Sequence, residues 1–132
     1  MLRAIPVLLA SALCGQTPAP PSANLAIVQR QMDAYNAHDA KAYTACFTAD
    51  AQFVRHPGIT ALSGQDEIYR NFAKFFREHK EAKLSVIYRA ELGPTTVIEH
   101  QVTEGAGKPL PGLVIYKIQN GLIAAAWIVP AE

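Results

Sequence analysis

Three observations predict an α+β domain in which three helices pack on one curved, mainly antiparallel sheet. Apolar residues recur at helical spacing in the segments that begin at Leu25, Ala42 and Ile68. From Lys83 to Val129 the pattern changes to period two. Turn residues then divide that second half into four hairpin-linked runs, which places the helices together on one face of the sheet. A strongly curved sheet covered in this way encloses a cone with an open end.

The chain has 132 residues and a mass of 14.3 kDa, enough for one hydrophobic core. Charged residues make up 17% and the formal net charge is +1, with no run of Lys or Arg, so the composition argues against a nucleic-acid partner. Met1-Leu-Arg followed by the apolar stretch Ala4 to Leu13, with Ala10-Ser-Ala12 as an A-x-A cleavage signal, predicts a secretory signal peptide over residues 1–15. That apolar stretch is too short for a stable membrane span, which takes about 20 residues. Export to the periplasm or the medium is therefore expected. Lipid attachment through Cys14 is the less favoured alternative, because Leu13 stands where such sites usually carry a small residue. Residues 16–24, rich in Pro, Ala and Ser, read as a linker, and 25–132 as the domain. Cys46 is then alone in the domain, so no internal disulfide is expected, and a buried position on a helix fits it better than a nucleophile does.

Taken in order, Leu25, Val28, Met32 and Tyr35 mark one face of a first helix. Asn36-Ala-His-Asp breaks it. Asp39 then caps a short second helix that carries Ala42, Tyr43, Cys46 and Phe47 inward. Asp50 to Val54 reads as a strand, and His56-Pro57-Gly58 must turn, since proline disfavours helical geometry at the residue before it. After a short spacer, Ser63 and Asp66 have the spacing of a capping box, opening a helix with Ile68, Phe72, Phe75 and Phe76 inward that ends near His79. Lys83–Leu92, Thr95–Glu104, Leu110–Gln119 and Leu122–Val129 follow as strands. Asn120-Gly121 is the strongest hairpin signal among them.

The ordered motifs Tyr35-Asn-Ala-His-Asp39, Phe47-Thr-Ala-Asp50, Ser63-Gly-Gln-Asp-Glu-Ile68 and Tyr116-Lys-Ile-Gln-Asn-Gly-Leu-Ile123 resemble the nuclear transport factor 2-like superfamily. Within it, they resemble the small SnoaL-like and ketosteroid-isomerase-like proteins. The resemblance implies an α+β cone, often dimeric, with a pocket between helices and concave sheet. It also implies where to look for chemistry. The enzymes of this group place a carboxylate just before a proline as proton-shuttling base, a Tyr on the first helix, and an acid on a late strand. Anchoring on Pro57 puts His56 at the base position, whereas counting along the strand from Asp50 puts Arg55 there. Gln31 stands at the Tyr position and Val114 at that of the late acid, so steroid isomerisation itself is not implied.

Alternation along the strand Val97 to Thr103 puts Glu99 and Gln101 on one face and Ile98, His100 and Val102 on the other. The family's register turns the Glu99 and Gln101 face inward, together with Val114, Tyr116, Ala124, Ala126 and Ile128. Small alanines there leave room for a ligand, and Phe72 is the aromatic expected to touch it. His56 with Glu99 is the expected acid–base pair, the imidazole acting as base and the carboxylate orienting it. Glu99 and His100 point to opposite faces of one strand and so cannot close on one ion, and no metal or cofactor is expected. The outward residues, with Trp127, predict an apolar face for a homodimer. The function expected is an exported pocket protein for a small, largely apolar organic molecule, with isomerisation, cyclisation or hydration through His56 as its chemistry. A non-catalytic ligand-binding or dimeric assembly module is the alternative.

Overall fold

A computed structural model describes residues 22–131; the expected signal peptide, Cys14 and most of the expected linker lie outside the described residues. Ser22 caps the first helix by accepting a hydrogen bond from the Leu25 amide at 3.1 Å, so α1 spans Ala23–Asn36 and opens two residues before Leu25. Its buried stripe is Ile27, Val28, Gln31, Ala34 and Tyr35, with Leu25 and Met32 packed at its edges. One polar side chain, Gln31, therefore sits in the middle of an apolar face. Asp39 caps α2 (Ala40–Thr44) through a 2.9 Å bond from the Ala42 amide. Between the two helices His38 takes a left-handed conformation, stacks on Phe76 at 5.1 Å and meets the Ala82 carbonyl at 2.7 Å.

β1 (Phe47–Arg55) starts three residues earlier than expected, and the stretch read as a spacer is a strand, β2 (Ile59–Ser63). Hydrogen bonding to β1 stabilises β2 although its residues are mostly exposed and carry little periodicity. The expected capping box at Ser63 and Asp66 does not form. Gly64 is the cap residue of α3 (Gln65–Glu78), with φ +85, and the Glu67 carboxylate reaches back to accept from the Ser63 amide at 2.8 Å. The acid thus arrives one residue later than that spacing requires.

β3 (Lys83–Leu92), β4 (Thr96–Glu104), β5 (Leu110–Gln119) and β6 (Leu122–Pro130) complete a six-stranded sheet in the order β2-β1-β6-β5-β4-β3. All neighbours are antiparallel except β1 and β6, which run parallel. α1 covers β3, β4 and β6, and α3 covers β1 and β2. An extra residue in β6 changes the expected alternation: Ile118 pairs with Ile123 but Lys117 with Ala125, so Ala124 is bulged. Ile123 is consequently fully buried three residues before buried Ala126, and Ala124 is not in the inward series that Ala126 and Ile128 continue.

β3 is an edge strand, and Asn36 fastens it to α1. The Asn36 amide donates to the Leu84 carbonyl at 3.0 Å while its Oδ1 accepts from the Leu84 amide at 2.7 Å, as a neighbouring strand would. Asn36→Ala leaves both groups of buried Leu84 unpaired and should lower stability by about 2 kcal/mol in urea denaturation, at the scale expected for orphaned backbone groups. An unchanged midpoint would show that this fastening contributes nothing.

Candidate functional site

Between the helices and the concave face of the sheet lies a cavity of about 310 Å³. The helices contribute an aromatic wall. Tyr43 and Phe72 approach to 4.3 Å, Tyr35 packs edge-on against Phe72 at 6.2 Å, and Phe53 of β1 reaches Phe72 at 5.7 Å. The sheet contributes Gln101, Val114, Tyr116, Ala126 and Ile128. Ala126 is 1% exposed, and its single methyl group leaves volume that a larger side chain would fill. Exposed Asn71 and Leu110 stand at the rim. Two other recesses, between α2 and α3 and beside Arg30 and Asp33 on α1, are bordered by exposed charged side chains and lie outside the cone.

Among the described residues that line the cavity, none carries a formal charge at neutral pH. Burial raises the hydroxyl pKa of Tyr35 to about 12, and raises those of Tyr43 and Tyr116 further still. These phenols are therefore donors and acceptors of hydrogen bonds rather than bases. The charge nearest the cavity stands behind its wall. Glu99 is 0% exposed, and Arg89 grips one of its oxygens, Oε2, through both Nε and Nη2 at 2.5 Å. Arg89 Nη1 donates to Gln29 Oε1 at 2.6 Å, and Gln29 in turn donates to Asp33 at 2.7 Å. The Tyr116 hydroxyl stands beside the same carboxylate and favours its charged form, while Glu99 Oε1 has no hydrogen-bond partner. Burial raises the Glu99 pKa, and Arg89 opposes that rise.

Of the residues singled out from the sequence, Gln31, Phe72, Gln101, Val114, Tyr116, Ala126 and Ile128 line one cavity. Glu99 lies behind them on the same face of β4 as Gln101. Arg55 and His56 are placed differently. Both are exposed where β1 ends, and neither lines the cavity, although Arg55 pairs with Ile128 and the His56 amide donates to the Ile128 carbonyl at 2.8 Å. The enclosed pairing expected for His56 with Glu99 is replaced by that of Arg89 with Glu99. The reason is strand register: Arg89 is the direct cross-strand partner of Glu99. Sequence reasoning missed Arg89, yet it stands as far before Pro94 as Glu99 stands after it, which is the symmetry of a hairpin turning there. Tyr35, Tyr43 and Phe53 were also missed as lining residues, because helical spacing for the tyrosines and strand alternation for Phe53 mark them equally as core.

A SnoaL-like domain model matches residues 28–126. This chain belongs to the SnoaL-like family. The fold is shared widely among solved structures. An uncharacterized cystatin-fold protein from Novosphingobium aromaticivorans is similar with a TM-score of 0.76 at 18% identity, over 82% of this chain and 98% of that one. A putative ketosteroid isomerase from Kribbella flavida is similar with a TM-score of 0.69 at 16% identity, over 83% and 78%. A hypothetical protein from Catenulispora acidiphila with a ketosteroid isomerase-like fold, in complex with trimethylamine, gives 0.64 at 20%, over 77% and 82%. At these identities the likeness is one of fold. No curated protein matches the SnoaL-like chain by sequence. No helix among its described residues is long and apolar enough to cross a membrane.

The buried ion pair yields a pH-dependent prediction. Arg89→Met strands the Glu99 charge and should cost about 3 kcal/mol or more at pH 7, as for other broken buried pairs. A carboxylate whose folded pKa is raised is no burden while it stays protonated, and stability falls as pH rises above the ordinary carboxylate range. Urea denaturation should therefore find Arg89→Met closest to wild type at about pH 4, just below the ordinary glutamate pKa of about 4.3, and Arg89→Met/Glu99→Gln should recover much of the loss at pH 7. A penalty independent of pH would show that the loss is one of packing.

Proposed function

We propose that this SnoaL-like domain binds a small, uncharged, largely apolar organic molecule in the cavity between its helices and sheet. The observation that carries this reading is the composition of the lining: aromatic and aliphatic walls, three carboxamides counting Asn71 at the rim, and no charged side chain. At about 310 Å³ the cavity is at the small end of ligand sites, suited to one or two fused rings. Glu99 supports the same reading, because Arg89 balances its charge within the fold and leaves no net charge for a ligand to neutralise.

Acid–base catalysis of isomerisation, cyclisation or hydration is the second reading. It draws on Glu99, whose pKa burial raises and which Tyr116 separates from the cavity, and on His56 on the turn beside Ile128. The ketosteroid isomerase-like neighbours are consistent with such chemistry on this fold, but they do not supply the residues. Once a substrate is found, the two bases separate cleanly. His56→Ala abolishing turnover would assign the base to the turn, and Glu99→Gln doing so with His56→Ala unaffected would assign it to the carboxylate.

The reading extends to assembly and location. The outer face of the sheet carries half-exposed Trp127 in register with Ile115 and Ile98, which suits a homodimer. Basic Arg3 ahead of an apolar stretch and an A-x-A site suits export before folding.

Binding is tested with 6-propionyl-2-(dimethylamino)naphthalene, an uncharged dye built on two fused rings whose emission brightens and shifts in apolar surroundings. Ala126→Leu fills the cavity from the sheet side and should weaken the dye at least tenfold, by the loss of about 1.4 kcal/mol or more of contact, while the fold is retained. Equal binding by this variant would place the dye elsewhere. Trp127→Glu should convert a dimer to a monomer in sedimentation velocity, and a dimer unchanged by it would exclude this face.

A further inference from the structure

The polar groups of the cavity are not balanced. Gln31 is 2% exposed and lines the cavity, yet its Oε1 has no hydrogen-bond partner. Gln101, on the opposite wall, also lines the cavity with an unpartnered Oε1. Two residues before Gln101 on the same face of β4, Glu99 presents a third unpartnered oxygen. All three are carbonyl-type acceptors, one on α1 and two on β4. Buried acceptors without donors are uncommon in folded proteins, and each carries a desolvation cost that a donor removes. No Lys, Arg or His lines the cavity to supply one, and the guanidinium of Arg89 is committed to Glu99 Oε2 and Gln29. The hydroxyls of Tyr43, beside Gln31, and of Tyr116, beside Glu99, leave these three oxygens unpartnered, and neither stands beside Gln101.

We propose that this cavity selects uncharged ring compounds whose polar end carries N–H donors, such as a primary carboxamide, and that Gln31 and Gln101 are the residues that make the selection. This deepens the binding function proposed above and rests on it. The apolar body of such a ligand lies against Phe72 and Phe53 while its amide hydrogens reach the two carboxamide oxygens. A ligand of the same shape without those hydrogens gains the apolar contact but leaves the acceptors unpaired. Discrimination by a missing donor is usually stronger than discrimination by size, since the unpaired groups stay buried.

Benzamide and acetophenone form the test, because they share ring and carbonyl and differ in NH₂ against CH₃. Binding to the full chain is followed by amide chemical-shift titration, which reports both affinity and location. Benzamide should bind about tenfold more tightly, the scale of one or two net hydrogen bonds. Gln31→Met and Gln101→Met keep length and remove the acceptor; each should reduce the ratio, and the double variant should bring it within about twofold while acetophenone binds as before. Equal affinities for the two probes in the wild type would overturn the donor preference and leave the apolar binding function standing. A preference that persists in the double variant would overturn the assignment to these glutamines. If neither probe shifts the cavity resonances at millimolar concentration, both the preference and the binding function it rests on fail.

Discussion

A carboxylate without solvent contact has to find its counter-charge inside the fold, and the arrangement around Glu99 follows from that requirement. Arg89 meets it from the neighbouring strand, and the rest of its guanidinium is satisfied on α1 by Gln29, with Met32 sulfur 3.9 Å away. One cation thereby joins β3, β4 and α1. Asn36 makes a second junction between α1 and the same edge strand, at Leu84. These two ties, one at the middle of the helix and one at its last residue, hold α1 against β3 on one flank of the cavity. Such an ion pair adds little net stability compared with apolar packing, because desolvation offsets most of the attraction. Its contribution is to fix which groups meet, and breaking it costs far more than never having had it.

The consequence for the cavity is electrical neutrality. Burial suppresses ionisation of Tyr35, Tyr43 and Tyr116, the Glu99 charge is compensated behind the wall, and the remaining lining is aromatic, aliphatic or carboxamide apart from the Thr103 hydroxyl. Shape comes from elsewhere. The linked rings of Tyr35, Tyr43, Phe53 and Phe72 make a stiff side to the cavity, and Ala126 keeps the sheet side open. The bulge at Ala124 matters here, because it resets the alternation of β6 so that both Ile123 and Ala126 face inward.

Much of this was readable in the chain. Alternation and turn residues gave the four C-terminal strands nearly to the residue, and the same alternation set Glu99 and Gln101 on one face. What escaped was held in place by long-range pairing. β2 has little periodicity of its own and forms because β1 offers it hydrogen bonds. The parallel contact of β1 with β6 joins segments far apart in sequence, and the β6 bulge shows only in the register. At the site, the lining glutamines and the sheet residues were found through a family likeness combined with alternation. The same likeness pointed to His56 and Arg55, which are exposed at the last residue of β1 and in the turn that follows it. Arg89 was within reach of a hairpin count about Pro94, which pairs it with Glu99.

The central claim is that an uncharged cavity chooses an uncharged ligand. Its most direct test is a chemical-shift titration with benzamide, benzoate and benzylammonium, three molecules of similar shape and different charge. The account predicts that benzamide moves resonances of Phe72, Val114 and Ala126 while the two ions leave them in place. Benzoate or benzylammonium shifting those residues as strongly as benzamide would contradict it.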